Sequence, residues 1–367
     1  MKKLEFPEYY YSNIKQISQD HKKWNDYKWQ LKNSYTSVLQ LKNILKDIDS
    51  IEVEKKYNFL ITPYFLSLID FDNPSDPLRR QVFPNISELE IDSNLKEDPF
   101  LEKSSMPVKN VIKKYPDRVV IIMTNRCASF CRYCTRKWNW QDPFTISFKE
   151  IDEIHRYLEK EKNIREIILS GGDPFIISKR ILGYALEKFS KIKHLEVIRI
   201  ATRTLSFLPQ IVDKEMTNLL KRYKPIWIIT HFNHPSEITP LTEEAVEKLL
   251  DAGVAFANQS VLLKGINDNV ETMKLLLNRL EYLRIKPYYL FQCDLISGTK
   301  HFRTKIEDGL NILKKLINST GGLCIPHFIV DVPGAGKIPI LPEYIIEKND
   351  KEIFIKIEDR IVSYPLV

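Results

Sequence analysis

The sequence predicts an α/β fold, a partial (β/α)6 TIM-type barrel carrying an N-terminal helical extension. Three observations predict it. From Arg118 onward, short runs rich in β-branched residues alternate with amphipathic stretches. Those runs are apolar throughout rather than at every second position, as strands buried on both faces of a parallel sheet are. The residues with chemical potential fall at or just past the C-terminal ends of the runs. In a (β/α) barrel those ends converge on one face, where active sites form. A doubly wound sheet would gather them at a single switch point instead.

Residues 1–110 make up the expected extension, and NDYKWQLKNSYTSVLQLKNILKDI (25–48) is its clearest amphipathic helical run. FDNPSDPLRRQVFPNISELE, from Phe71, is broken by prolines and reads as loop. The barrel is expected over 111–340. RVVIIMT (118–124) precedes SFKEIDEIHRYLEKEK, in which Ser147 and Glu150 form a capping-box signature. REIILS (165–170) precedes SKRILGYALEKFSKI, and EVIRIAT (196–202) precedes DKEMTNLLKRY. IWIITHF (226–232), VAFANQSVLL (254–263) and IKPYYLFQC (285–293) are each followed by a further helical pattern. A last run, CIPHFIVDV, leads into PGAGK, and residues 341–367 form a C-terminal tail with short strands.

At 367 residues, with 43% hydrophobic and 28% charged side chains, the chain has a soluble composition and can bury a sizeable core. The net charge of +7 is spread among Glu and Asp with no like-charge block, so nucleic-acid binding is not expected. MKKLEFPEYYYS has no apolar segment after its lysines, so no signal peptide is read there. No apolar stretch approaches the ~18 residues that span a bilayer, and no membrane association is expected. Five cysteines, an odd number with three clustered, do not read as a disulfide framework, and a reducing cytoplasm is the expected location.

Cys127, Cys131 and Cys134 are spaced C-x3-C-x2-C within NRCASFCRYCTRKWNW (125–140). Three thiolates are one short of a closed zinc site. Either a distant Cys293, Cys324 or His231 completes a zinc knuckle, or the three hold a [4Fe–4S] cluster whose fourth iron stays open. Tyr133, between the last two cysteines, would shield such a cluster. SGGDP (170–174) follows the second run and, alone, is as readily a plain turn. PGAGK (333–337) lacks the spacing and the Ser or Thr of a P-loop. Its glycines permit tight turns that present Lys337 to the barrel mouth. A lysine in a dry site or near other cations can bond an aldehyde cofactor.

C-x3-C-x2-C with an aromatic before the last cysteine resembles the radical S-adenosylmethionine signature. The chain as a whole resembles the lysine 2,3-aminomutase family. The likeness runs from WNDYKWQ (24–30) through ITPYFLSLID, KYPDRV, CRYCTRK, LSGGDP, ATRTLSFLPQ and THFNHPSEIT. It continues through NQSVLLKGIND, KPYYLFQCDL and HFRT to IVDVPGAGKIPILPEYI, ending near residue 345. The resemblance implies a [4Fe–4S] cluster on Cys127, Cys131 and Cys134, with S-adenosyl-L-methionine on the open iron. Gly171, Gly172 and Asp173 would contact its methionine amino group, and Arg203, His231 and Gln259 are assigned with them to cofactor binding. Lys337 would carry pyridoxal 5′-phosphate, with Lys114 and Arg118 near its phosphate. Arg136 would pair with the substrate carboxylate, and Asp294 and Asp331 would grip a lysine ε-ammonium. Glutamate-specific relatives carry a cationic and a neutral residue at those two positions.

The implied activity moves the α-amino group of L-lysine to the β-carbon, giving L-β-lysine, after a 5′-deoxyadenosyl radical removes a β-hydrogen. Arginine or ornithine would suit the two aspartates as well, and a non-enzymatic metal-binding interaction protein is the alternative from another class. A flavodoxin or ferredoxin would supply the electron, and a homo-oligomer is expected. Some positions depart from the family. KEIFIKIEDRIVSYPLV has no cysteine and Asn269 stands where a neighbouring subunit's zinc ligand would be, so no zinc is expected. Phe291 replaces a tyrosine, Ala335 stands in a glycine run one residue shorter, and Trp138 and Trp140 replace smaller, more basic residues.

Overall fold

A computed structural model describes residues 4–18, 21–45, 51–349, 352–357 and 360–365. The apolar runs become strands of one sheet, hydrogen-bonded in chain order. They are β1 (Val111–Ile112), β2 (Arg118–Thr124), β3 (Glu166–Gly171), β4 (Val197–Ala201), β5 (Ile226–Thr230), β6 (Ala255–Leu262), β7 (Lys286–Gln292), β8 (His327–Val332) and β9 (Gly336–Pro339). Strands β2 to β8 are parallel, while β1 and β9 pair antiparallel at the two edges. The edge strands do not pair with each other, so the barrel stays open along one side. This is the partial barrel that the sequence predicts.

Among the described residues five short α-helices precede it: α1 (Tyr10–Ile17), α2 (Tyr27–Lys32), α3 (Ile51–Glu54), α4 (Pro63–Ser67) and α5 (Pro77–Val82). The crossovers carry α6 (Phe148–Lys160), α7 (Lys179–Ser190), α8 (Thr204–Phe207) with α9 (Lys214–Arg222), α10 (Pro240–Asp251), α11 (Val270–Tyr282) and α12 (Ile306–Ile317). The Ser147–Glu150 capping box opens α6, with each side chain bonded to the other residue's backbone N–H. Asn269 caps α11 by accepting the Thr272 N–H, a structural role for that departure from the family.

Side chains alternate along the strands with period two. Val119, Ile121, Ile167, Leu169, Ile198 and Ile200 are buried in the hydrophobic core. The intervening Val120, Ile168 and Arg199 stand in register across β2, β3 and β4 and line the barrel's internal cavity. The interior is therefore a chamber, not a packed core.

The long helix expected over 25–48 does not form. After α2 the chain turns at Asn33, and the backbone of Tyr35 pairs with Ile61 in an antiparallel bridge. A 3-10 turn over Val38–Leu41 follows, held by a capping box between Ser37 and Gln40. A tertiary backbone pairing has outweighed helical periodicity here. Residues 46–48 of the run lie outside the described residues. The N-terminal segment packs on the barrel flank: Tyr64, Phe65 and Leu66 are fully buried, Thr62 Oγ1 donates to Phe207 O at 2.7 Å, and the Phe65 and Phe207 rings meet edge-on at 4.7 Å. At the other end, β10 (Ile345–Lys348), β11 (Glu352–Ile357) and β12 (Arg360–Pro365) form a separate antiparallel sheet. No helix among the described residues is long and apolar enough to cross a membrane.

Candidate active site

The loop after β2 carries Cys127, Cys131 and Cys134, which border one cavity with Ser170 to Asp173, Arg203, His231 and Gln259. Its shape comes from the N-terminal segment. Phe130 N–H donates to Leu60 O and Arg132 N–H to Gln81 O. Arg132 is fully buried and forks onto Glu88 at 2.9 and 2.8 Å, while Lys137 takes the same carboxylate at 2.7 Å. Such planar, bidentate pairing is specific to arginine.

The two glycines of SGGDP are required by close approach to this loop. A Cβ on Gly171 would lie 2.1 Å from Thr124 O, and Gly171 has φ +121°. A Cβ on Gly172 would lie 2.0 Å from Arg126 O. Asp173 is buried with its carboxylate already occupied: it accepts from Phe175 N–H (3.0 Å), Thr202 Oγ1 (2.7 Å) and Arg203 N–H (2.8 Å). These bonds brace the ends of β3 and β4, and Asp173 borders the cavity where the resemblance implies a cofactor amine.

Arg203 Nη1 donates to Cys131 Sγ at 2.8 Å, and Nη2 reaches Gln81 Oε1 at 2.5 Å and Glu237 Oε2 at 3.1 Å. Its Nε is buried with no partner among the described residues. His231 is pushed down to about 3 by burial and by Arg203, so it is neutral; its ring lies 5.7 Å from that of Tyr133. Burial pushes the Cys134 thiol up to about 11, with the Cys131 charge adding to it, and raises Cys127 well above its usual value. A bound cation relieves that penalty, since the thiolate is the metal-binding form.

This donor set fits an iron–sulfur cluster. Each thiolate binds its own iron, so thiols that border one cavity need not converge on a point. Among the described residues, no three His, Cys, Asp or Glu side chains are arranged to hold one metal ion. Of the fourth ligands considered, His231 lines the cavity, but Cys293 packs beside Tyr133 and Phe302 and Cys324 lies against Asn278 and Glu281. The orphaned Nε of Arg203 is a donor that suits a ligand bearing a carboxylate, as S-adenosylmethionine does.

The cavity continues into a second lobe through the shared residues Arg136, Ser170, His231, Gln259 and Asp294. Here PGAGK is a hairpin between β8 and β9, with Asp331 directly opposite Lys337. Tyr115 Oη accepts the Lys337 N–H at 3.2 Å, and a Cβ on Gly336 (φ +81°) would lie 2.8 Å from that oxygen. Lys337 Nζ lies 5.7 and 5.4 Å from the ring centroids of Tyr289 and Phe291. Burial lowers its pKa, with Arg118 and Arg199 assisting against the pull of Asp331 and Asp294. Lys114, Arg118 and Arg199 border the same lobe, a cationic setting that fits the phosphate of pyridoxal phosphate beside an amine able to bond its aldehyde.

Asp294 is pushed up to about 7, first by burial and then by Asp331, which burial raises as well. Lys114 is lowered by burial, and its Nζ stands 4.3 Å from the Phe100 ring centroid. Arg136 gives Nε and Nη2 to Glu102 at 2.8 Å each, which leaves Nη1 turned toward Ser170 Oγ at 3.5 Å. Sequence reasoning missed Gln81, Glu102, Tyr115, Arg199 and Glu237. Arg199 had a signal, a charge inside the apolar run EVIRIAT. Glu102 and Gln81 had none, because their partners are remote in the chain. Of the departures, Phe291 lines the lysine lobe, Trp140 stacks on Phe130 at 4.4 Å beside the thiols, and Trp138 carries Lys103 Nζ 4.5 Å from its ring centroid.

Comparison with known proteins places these features in context. The sequence profile of the Radical SAM superfamily matches residues 121–276, and that of Lysine-2,3-aminomutase matches residues 313–366. The L-lysine 2,3-aminomutase of Acetoanaerobium sticklandii is 42% identical over 91% of this chain and 82% of its own length. That of Clostridium subterminale is 41% identical over 93% of this chain and 84% of its own length. The glutamate 2,3-aminomutase of Clostridioides difficile is 41% identical over 91% of this chain and 80% of its own length.

Proposed function

Because the chain belongs to the lysine 2,3-aminomutase family of radical S-adenosylmethionine enzymes, we propose that it moves the α-amino group of L-lysine to the β-carbon, giving L-β-lysine. It is an isomerase whose cofactors are a [4Fe–4S] cluster, S-adenosyl-L-methionine and pyridoxal 5′-phosphate. Identity alone does not choose the substrate, since the glutamate-specific relative is as similar as the lysine-specific ones. One observation carries the choice. Asp294 and Asp331 border the lobe that also holds Arg136 and Lys337, and both are held at raised pKa values that a cation relieves. A glutamate side chain would bring a third carboxylate to that end, at a cost in repulsion.

When bound, the cluster with S-adenosylmethionine supplies one-electron cleavage and hydrogen-atom transfer, and pyridoxal phosphate supplies the aldehyde that holds the migrating nitrogen. Cys127, Cys131 and Cys134 would hold the cluster. Gly171, Gly172, Asp173, Arg203, His231 and Gln259 would surround S-adenosylmethionine, with Asp173 also holding the Arg203 backbone N–H. Lys337 would hold pyridoxal phosphate, with Arg118, Arg199 and Lys114 toward its phosphate. Arg136 binds the substrate carboxylate through its Nη1 side while Glu102 fixes the rest of the fork. The hairpin register keeps Asp331 beside Lys337, so the groups at the two ends of the substrate are set by one rigid turn. Ile112, Ile229, Val261 and Phe291 wall the lobe and keep water from a reactive substrate.

The partners follow from this chemistry: a small-molecule amino acid and a one-electron donor of the flavodoxin or ferredoxin type. A homo-oligomer is supported by the apolar side chains Ile345, Ile361 and Tyr364 of the C-terminal sheet, which are 56%, 61% and 60% exposed. Five free thiols support a reducing cytoplasm. The deciding experiment is anaerobic incubation of the reconstituted protein with S-adenosylmethionine, pyridoxal phosphate, a reductant and single amino acids. β-Lysine formed from lysine supports the reading. Turnover of arginine, ornithine or glutamate with none of lysine overturns the substrate and leaves the reaction type standing. Absence of any pyridoxyl adduct on Lys337 after borohydride reduction supports a non-enzymatic protein.

A further inference from the structure

Beside the cysteine loop lies a buried charge pair that substrate binding does not use. Glu237 is fully buried and accepts from Arg203 Nη2 (3.1 Å), Ser206 Oγ (2.6 Å), Gln81 Nε2 (3.1 Å) and the backbone N–H groups of Asn233 and His234 (3.0 Å each). The other terminal nitrogen of Arg203 rests on Cys131 Sγ at 2.8 Å. The guanidinium is sandwiched by apolar surface, 4.3 Å from the Phe207 ring centroid and 5.4 Å from that of Tyr133. One cation therefore touches a cluster-holding sulfur on one side and a fully desolvated anion on the other. Charges in such a setting act on a neighbouring redox centre with little screening. Net charge and hydrogen bonds to sulfur are what tune an iron–sulfur potential.

We propose that Glu237 sets the reduction potential of the cluster held at Cys131, by offsetting the charge that Arg203 places on that thiolate. The inference rests on the cysteine assignment made above. Arg203 alone would favour the reduced cluster and make it a weaker reductant. With Glu237 behind it, the fork still orients Cys131 and closes the cavity wall, but its net charge is cancelled. With the charge of Arg203 offset, a cluster bound at these cysteines would keep the driving force that one-electron cleavage of S-adenosylmethionine needs.

The test is an anaerobic redox titration of the full chain reconstituted with iron and sulfide, read by electron paramagnetic resonance without substrate or pyridoxal phosphate. Glu237→Gln is isosteric and removes only the offsetting charge. Its potential is expected to move positive by at least a tenfold change in the reduction equilibrium, 59 mV for one electron. Arg203→Lys keeps a cation opposite Glu237 but loses the fork that reaches Cys131, and its potential is expected to move negative. Opposite signs support the proposal. A fully loaded Glu237→Gln at the wild-type potential overturns it, as do shifts of the same sign in both variants. If Glu237→Gln takes up no iron, Glu237→Asp decides: withdrawing the anion from Arg203 should move the potential positive, and an unchanged or negative shift overturns the proposal. A wild-type chain that binds no cluster overturns the cysteine assignment and this inference with it.

Discussion

The two lobes of the cavity differ in how their carboxylates are paired. Around the thiol lobe Glu88 is matched by Arg132 and Lys137 and Glu237 by Arg203, while burial raises Asp173 and leaves the thiols of Cys127 and Cys134 raised until a cation binds. At the lysine lobe Arg136 is paired with Glu102, but the carboxylates facing Lys337 have no such partner among the described residues: Asp294 is pushed up to about 7, Asp331 is raised, and Lys337 and Lys114 are lowered. The difference teaches what each lobe is for. A matched network fixes a scaffold before any small molecule arrives. Unmatched charges hold a preference that a phosphate, a carboxylate or an ammonium satisfies on binding.

Four changes would break or sharpen that contrast. The largest effect is expected from Lys337→Ala, which should cut β-lysine formation by several orders of magnitude and abolish borohydride-trapped pyridoxal. Iron and sulfide content should stay at wild-type levels, and a loss of iron would show that the lobes are not separable. Asp331→Asn comes next. Losing a hydrogen bond to a charged group costs about 1.5–3 kcal/mol, so kcat/KM for lysine should fall ~10- to 150-fold. Cleavage of S-adenosylmethionine without lysine should persist, and its loss would count against the role given to Asp331.

Gly171→Ala tests the other lobe. It forces a side chain toward Thr124 O in a left-handed conformation, costing about 1–3 kcal/mol or more. The melting temperature and iron content should fall together, while the folded fraction still binds pyridoxal phosphate. The smallest effect is a pH dependence. Asp294 is protonated below its raised pKa of about 7, so kcat/KM for lysine should fall as pH drops through that value, by at most about tenfold per pH unit. Asp294→Asn should flatten this limb. The same shift acts on folding in the opposite sense. A carboxyl whose folded pKa is raised contributes stability at low pH and loses it as pH rises toward 7.

Much of this architecture was legible along the chain. Strand β2 runs over Arg118–Thr124 as read from RVVIIMT, because burial on both faces writes itself as an unbroken apolar run. Helix α6 starts where Ser147 and Glu150 announce it, because capping is local. The segment at 25–48 misled for the opposite reason: its backbone bridge to Ile61 lies 26 residues from Tyr35 and leaves no mark on local periodicity. The bond from Thr202 to Asp173, 29 residues apart, leaves no local mark either.

The sequence by itself determined what local chemistry can determine. Strands and helices alternate by hydrophobic period, three thiols share one loop, and the glycines of PGAGK permit a tight turn before Lys337. Only the tertiary structure decided which charges are spent and which remain available. Gln81 and Arg203 are 122 residues apart, and Glu102 and Arg136 are 34 apart, yet each pair is in hydrogen-bond contact. The physical reason is that burial and pairing set the energy of a charge, and both depend on which strand ends and loops become neighbours after folding.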